Sequence, residues 1–290
     1  MSKTTAKTLK AMIVGAFLMG LATGCSSTLA ISGISAEDAA ALETFPFETF
    51  NGLSKTYVDD MGRVDYTALK ANRGDLDRYV ATQAVVGPTT KAELFPNADT
   101  GLAYYINGYN SLAMVNVLSR YPDIKDLDGV LKQKNFFYDT ILKIEGKDIN
   151  LYSLENDVIR PYAKQAYKEA GTCSKFGRIH FALNCASGGC PKLPPEAFMP
   201  ETVDAQLERE TRKFVREPRN VSVDDNKRTV TLSNIFEWYA GDFTDDNCGA
   251  INQLAWINKF LGEDEQIDTS YSIAIRPYDW TLNDQKLFKK

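Results

Sequence analysis

Residues 101–121 read GLAYYINGYNSLAMVNVLSRY. Leu102, Tyr105, Ile106, Tyr109, Leu112 and Ala113 recur at the i, i+3, i+4, i+7 spacing of one helix face. Tyr104, Met114, Val115, Val117 and Leu118 fill the other faces. A helix that is apolar nearly all round is a buried helix, so this stretch is predicted to be the spine of the core. Asn107 and Asn110 lie inside it and are expected to be buried amides. An orphaned buried polar group costs about 1–3 kcal/mol, so both amides must find partners in the fold.

Upstream, residues 36–57 read as one helix rich in Ala and Glu, and Gly62 to Tyr66 as a turn with a short extended piece. Asp75 is expected to cap a helix through about Ala84, broken at Gly87-Pro88. Downstream, Ile141 to Ile144 and Asp148-Ile149 flank Glu145-Gly146-Lys147 as a hairpin. Asn150 or Ser153 opens a helix carrying Glu155, Asn156 and Arg160 that ends at Pro161. Arg178 to Asn184 reads as a strand, and Cys185 to Pro195 as a loop by its Gly and Pro content. Residues 202–215 form a charged amphipathic helix. A hairpin over residues 221–231, a short helix capped by Ser233, a helix from Asp246 to Leu261 and a strand alternating Tyr271, Ile273 and Ile275 complete the reading. There is no repeat, no low-complexity stretch and no βαβ rhythm. The expected fold is α+β: a single large domain over residues 36–290, with buried helices packed on a small, mostly antiparallel sheet.

The 290 residues carry 33 basic and 38 acidic side chains and one histidine, His180. An acidic chain is a poor nucleic-acid binder, because gripping phosphates needs a basic face. A single histidine excludes a histidine-rich metal cage. Lys3, Lys7 and Lys10 precede a 12-residue apolar run, Ala11 to Ala22. That run is too short to span a bilayer, which takes about 20 residues, and fits a signal peptide. Ala22-Thr23-Gly24-Cys25 resembles a bacterial lipobox, with Leu21 one position further from the cysteine than the consensus places it. Residues 1–24 are therefore expected to be a lipoprotein signal peptide, Cys25 the lipidated first residue, and residues 25–35 a tether. Ser26 and Ser27 in place of Asp favour outer-membrane sorting in a Gram-negative cell. The domain would then face the periplasm, held to the membrane by several acyl chains. In that oxidising compartment Cys173, Cys185, Cys190 and Cys248 could form two disulfides in three pairings.

Reactive side chains are densest over residues 178–191, RIHFALNCASGGCP. On a strand His180, Ala182 and Asn184 share one face, and Phe181, Leu183 and Cys185 the other. Cys185 meets His180 only where the chain turns, as Ser187-Gly188-Gly189 permits. A Cys–His pair is a usable nucleophile arrangement when a third group orients the imidazole. Glu155, Asn184 and Asp279 are candidates for that third group. Cys185 and Cys190 instead suit a small disulfide loop, without the C-x-x-C spacing of thioredoxin-like enzymes. A zinc site from His180, Cys185 and Cys190 would lack a fourth ligand unless Cys173 or a carboxylate supplied it. No metal and no cofactor is expected. G-x-S-x-G, the phosphate loop and H-E-x-x-H are absent.

Six ordered segments resemble the bacterial secreted or lipid-anchored family catalogued as domain of unknown function 547. They are Gly62 to Tyr66, Tyr105 to Leu112, Leu154-Glu155-Asn156 with Arg160, and His180 to Pro191. The others are Ser233 with Trp238-Tyr239 and Asp242-Phe243, and Tyr278 to Asn283. Asn156 stands where that family frequently has histidine. The resemblance implies a site built from Asn107, Asn110, Glu155, Arg160, His180, Asn184, Cys185 and Asp279, and it supplies no reaction. Two functions follow. In one, a thiol-dependent hydrolase or acyl transferase uses Cys185 as nucleophile, His180 as base and Asp279 or Glu155 as orienter. Asn184, Asn107 or Asn110 stabilises the oxyanion there, and Asn107, Asn110 and Arg160 contact substrate. In the other, the same cluster belongs to a non-catalytic module that binds a small molecule or protein, stapled by a Cys185–Cys190 disulfide.

Overall fold

Asn97 opens the central helix, Ala98–Leu118, by accepting the Thr100 amide hydrogen on its side chain. Every residue from Thr100 to Leu118 is buried, as the all-round apolar pattern demands. The computed structural model describes residues 27–29, 34–244 and 251–288. Within it the helices Phe47–Tyr57, Gly74–Gln83, Arg160–Glu169 and Val203–Arg216 all pack on the central helix. Because that spine organises the larger core, its cap matters. Asn97→Ala should cost about 1 kcal/mol in chemical denaturation, with no change in the denaturant slope.

Two hydrophobic cores form. The larger surrounds the central helix. The smaller gathers Phe181, Phe214, Phe236, Phe243 and Trp256. Residues 176–184 lie between the two and are buried throughout. Phe176, Ile179, Ala182 and Leu183 contribute to the first core, and Phe181 to the second. This shared segment makes one domain of both cores.

The strand expected over Arg178 to Asn184 is absent: Cys173–Phe181 is a 3-10 helix. A run buried on every side carries no alternating face, so periodicity cannot tell a strand from a buried helical turn. The backbone at Gly177 lies close against the second core, since a Cβ there would lie 2.9 Å from the Phe243 ring.

The fold is α+β, but with two small mixed sheets rather than one mostly antiparallel sheet. β1 (Ser27–Thr28) pairs parallel with β2 (Thr140–Ile144), which pairs antiparallel with β3 (Lys147–Ile149). β4 (Val221–Asp224) pairs antiparallel with β5 (Thr229–Ser233), which pairs parallel with β6 (Ser272–Arg276). The expected late strand is therefore present, but it adds parallel to the hairpin.

Other boundaries shift for local reasons. The first helix divides into Ala36–Ala41 and Phe47–Tyr57, with Pro46 before the second piece. The second helix starts at Gly74, and Asp75 sits in its first turn instead of capping it. Asn150, accepting from the Ser153 amide, caps the chain entering Leu151–Ser153. Pro161 does not end that helix. It lies in the first turn of Arg160–Glu169, immediately after a π-helical turn, Leu154–Ile159. Proline lacks an amide hydrogen, and a π-helical turn there accommodates the missing bond without breaking the rod. The last long helix is short, Gln253–Asn258, capped by Asn252; the start of its expected range lies outside the described residues. So do the expected signal peptide, Cys25 and Cys248.

Candidate functional site

The π-helical turn sets the site. It presents Glu155 and Asn156 just before Arg160. The Glu155 carboxylate accepts the Tyr239 hydroxyl. Burial, then the negative Glu155 beside them, pushes the Tyr109 and Tyr239 phenols well above their usual range. Both stay protonated, and Tyr239 acts as donor to the carboxylate.

His180 belongs to the same neighbourhood, though not as expected. Its Nε2 lies 2.7 Å from Asp242 Oδ2. A carboxylate only accepts, so Nε2 carries the proton. Arg160 donates to the same oxygen through Nε at 3.0 Å and Nη2 at 2.6 Å. Asn156 Oδ1 holds Arg160 Nη1 at 2.7 Å. The imidazole stacks on Tyr239 with centroids 4.0 Å apart, and the Arg160 guanidinium lies 5.1 Å from the same ring centroid. Burial acts to raise the Asp242 carboxyl, but the His180 and Arg160 bonds outweigh it and hold it below the usual range. The His180 side chain is 1% exposed, and its Nδ1 has no hydrogen-bond partner among the described residues.

Cys185 lies elsewhere. The chain does turn after it, at Ala186 with φ +64°, but toward Cys190 and not toward His180. Cys185 and Cys190 form a disulfide with their Cα atoms 6.3 Å apart. Ser187 Oγ and Tyr278 Oη lie 3.2 and 3.5 Å from Cys185 Sγ. The imidazole touches Asp242, Tyr239, Phe243 and Phe176. The two sets of neighbours share no residue. Cys173 is also disulfide-bonded.

The remaining candidates hold the frame. Asn107 donates to Phe198 O at 2.7 Å and accepts from Phe198 N at 2.9 Å. Asn110 donates to Ala182 O at 2.9 Å and accepts from Asn184 N at 2.8 Å. Both amides, expected at a substrate, are occupied by backbone. Asn184 closes the disulfide loop, donating to Pro191 O and accepting from Ala186 N, so its amide is not free for an oxyanion. Asp279 is exposed and accepts from Thr281 N at 2.9 Å. Its backbone oxygen accepts from Gly189 N, which docks the disulfide loop on residues 278–281. A Cβ at Gly189 would lie 2.8 Å from the Tyr278 ring, so this approach requires glycine there. Neither Asp279 nor Glu155 orients the imidazole; Asp242 does. Asp242 and Tyr239 were not among the expected site residues; they stand inside the resemblance segments, the signal that could have marked them.

The arrangement is a His–Asp–Arg cluster, buried at His180 and half-buried at Asp242 and Arg160, beside a carboxylate that accepts from Tyr239, with the stapled loop separate from it. Among the described residues no group of three or more His, Cys, Asp or Glu side chains is placed to hold a metal ion, and no helix is long and apolar enough to cross a membrane. No curated protein and no solved structure matches the chain. A family model does match: residues 95–215, which hold every candidate from Asn107 to Cys185 but neither Asp242 nor Asp279, are similar to the family described as "Protein of unknown function, DUF547".

Proposed function

We propose that the chain is a non-catalytic ligand-binding module, with its site at Glu155 and the aromatic surface around it. One observation carries this reading: the Cys185 sulfur is paired with Cys190 while the His180 imidazole is paired with Asp242. A thiol enzyme needs a free thiolate beside its base, and neither partner is available to the other. The staple gives the loop beside Tyr278 a defined shape. Through a lipid on Cys25, the module is held on the periplasmic face of the outer membrane, close to strand β1, which begins at Ser27.

Iodoacetamide labelling of the unreduced protein between about pH 5 and 9, with peptide mapping, tests the reading against the enzyme. Cys185 is expected to remain unlabelled and to map in a peptide linked to Cys190. Fast labelling of Cys185 well below the usual thiol pKa of about 8.5, abolished by His180→Ala, would replace the binding module with a thiol enzyme. For the anchor, palmitate incorporation is expected in the wild type and lost in Cys25→Ser.

A further inference from the structure

The Cys185–Cys190 sulfurs sit among hydrogen-bond donors that a structural staple does not need. The Cys185 amide donates to Cys190 Sγ at 3.0 Å, and the Tyr278 hydroxyl donates to the same sulfur at 3.2 Å. Ser187 Oγ lies 3.3 Å from that sulfur and 3.3 Å from Tyr278 Oη. At Cys185 Sγ the contacts are the same two hydroxyls, Ser187 at 3.2 Å and Tyr278 at 3.5 Å. Divalent sulfur is a weak acceptor, so these donors gain little from the oxidised pair. A thiolate is a strong acceptor, and fixed donors are worth most where charge develops. The donor set is therefore matched to a negative charge on Cys190. Exposure separates the two residues in the same sense. Cys190 is 3% exposed and Cys185 is half-buried, so an incoming group reaches Cys185 first.

The loop is held by more than the bond. Asn184 ties its two ends, donating to Pro191 O and accepting from Ala186 N. Gly188 N and Gly189 N donate to Thr281 O and Asp279 O at 2.7 Å each, and Arg219 donates to the Gly188 and Cys190 carbonyls. A cross-link between residues only five apart also constrains the unfolded chain less than one closing a long loop. Opening the bond therefore leaves both sulfurs within reach of each other. Ala186, between the cysteines, holds φ at +64°, a left-handed conformation that is strained for a residue with a Cβ. Such strain gathers at functional sites.

We infer that the Cys185–Cys190 disulfide is redox-active and exchanges with an external thiol. The external thiolate attacks Cys185 Sγ. A bond forms between those two sulfurs, the Cys185–Cys190 bond breaks, and its electron pair goes to Cys190 Sγ, where the Cys185 amide and the Tyr278 hydroxyl meet the charge. A second external thiolate attacks the external sulfur of the mixed disulfide and releases Cys185 as a thiolate. Two external thiols are oxidised to one disulfide. The protein pair is reduced, and its thiolates take up the two protons that the external thiols gave to water. This goes beyond the binding reading and uses side chains other than Glu155.

Reduced glutathione is the probe, applied to the native, unreduced full chain, with iodoacetamide quenching and peptide mapping at intervals. The transient glutathione adduct is expected on Cys185, with Cys190 as the alkylated partner. Oxidised glutathione should restore the bond. Tyr278→Phe keeps the ring and removes the donor. It should slow the opening by about tenfold, the effect of one hydrogen bond to a charged group, with the melting temperature of the oxidised protein unchanged. Ser187→Ala should slow it by less. A bond that opens only in denaturant, an adduct on Cys190 in place of Cys185, or equal rates in wild type and Tyr278→Phe each overturn the inference. Labelling of Cys185 as an activated thiol in the unreduced protein would remove the binding reading and this inference together. An inert disulfide removes this inference alone.

Discussion

Asn107→Ala is expected to destabilise the protein by about 4 kcal/mol. The side chain is fully buried, and it pairs with Phe198 as one peptide group pairs with another, giving a hydrogen bond to the carbonyl and taking one from the amide. Truncation leaves both backbone groups buried without partners, at about 1–3 kcal/mol each, and a small cavity adds to that. Asn107→Asp should be nearly as damaging, because a carboxylate faces Phe198 O with no donor. Urea denaturation checks both, read as a lower midpoint at constant slope. A loss below about 1 kcal/mol for Asn107→Ala would show that this clamp is not made. Asn110, with the same two-ended pairing to Ala182 and Asn184, should behave alike.

Asp242→Ala is the second large effect, at about 3–5 kcal/mol, the usual cost of removing one partner from a buried ionic cluster. Three donors converge on Asp242 Oδ2, and its side chain is only 11% exposed. Arg160 is 25% exposed, so water recovers part of its lost partner and the lower half of that range is expected. The carboxyl is held below its usual value, which fixes the pH dependence. A depressed native pKa contributes stability that is complete above the unfolded value of about 3.9 and is lost as pH falls through the lower native value. Wild-type stability should therefore drop on the acid side of about pH 4. Asp242→Asn should be less stable at neutral pH and should show a shallower acid drop. An acid limb of equal steepness in both proteins would remove Asp242 from this account.

The central helix could be read from its residues because an all-round apolar run of that length has one stable place, the core. The Cys185–Cys190 pairing was legible as one of the alternatives, since a short glycine-bearing separation suits a small loop. The 176–184 segment was not, because two cores bury it from opposite sides and erase the alternation that marks a strand face. Pro161 misled for a related reason: a π-helical turn before it absorbs the missing amide, and nothing in the composition announces that turn. The partner of His180 was hidden by distance. Asp242 is 62 residues away and meets the imidazole only because both flank the second core, whereas Asn184 and Cys185 are adjacent in sequence. Asn107 and Asn110 were identified correctly as buried amides in an apolar helix. Their role differs because backbone peptides, and not a substrate, satisfy them.

His180 serves Asp242 and not Cys185. The chain has one histidine, so the imidazole resonances of the intact protein report that residue alone. Asp242→Asn is expected to shift them strongly, while reduction and alkylation of the Cys185–Cys190 pair leaves them in place. Imidazole signals that follow the state of Cys185 and ignore Asp242→Asn would contradict the account and return the thiol–imidazole pair to the centre of the site.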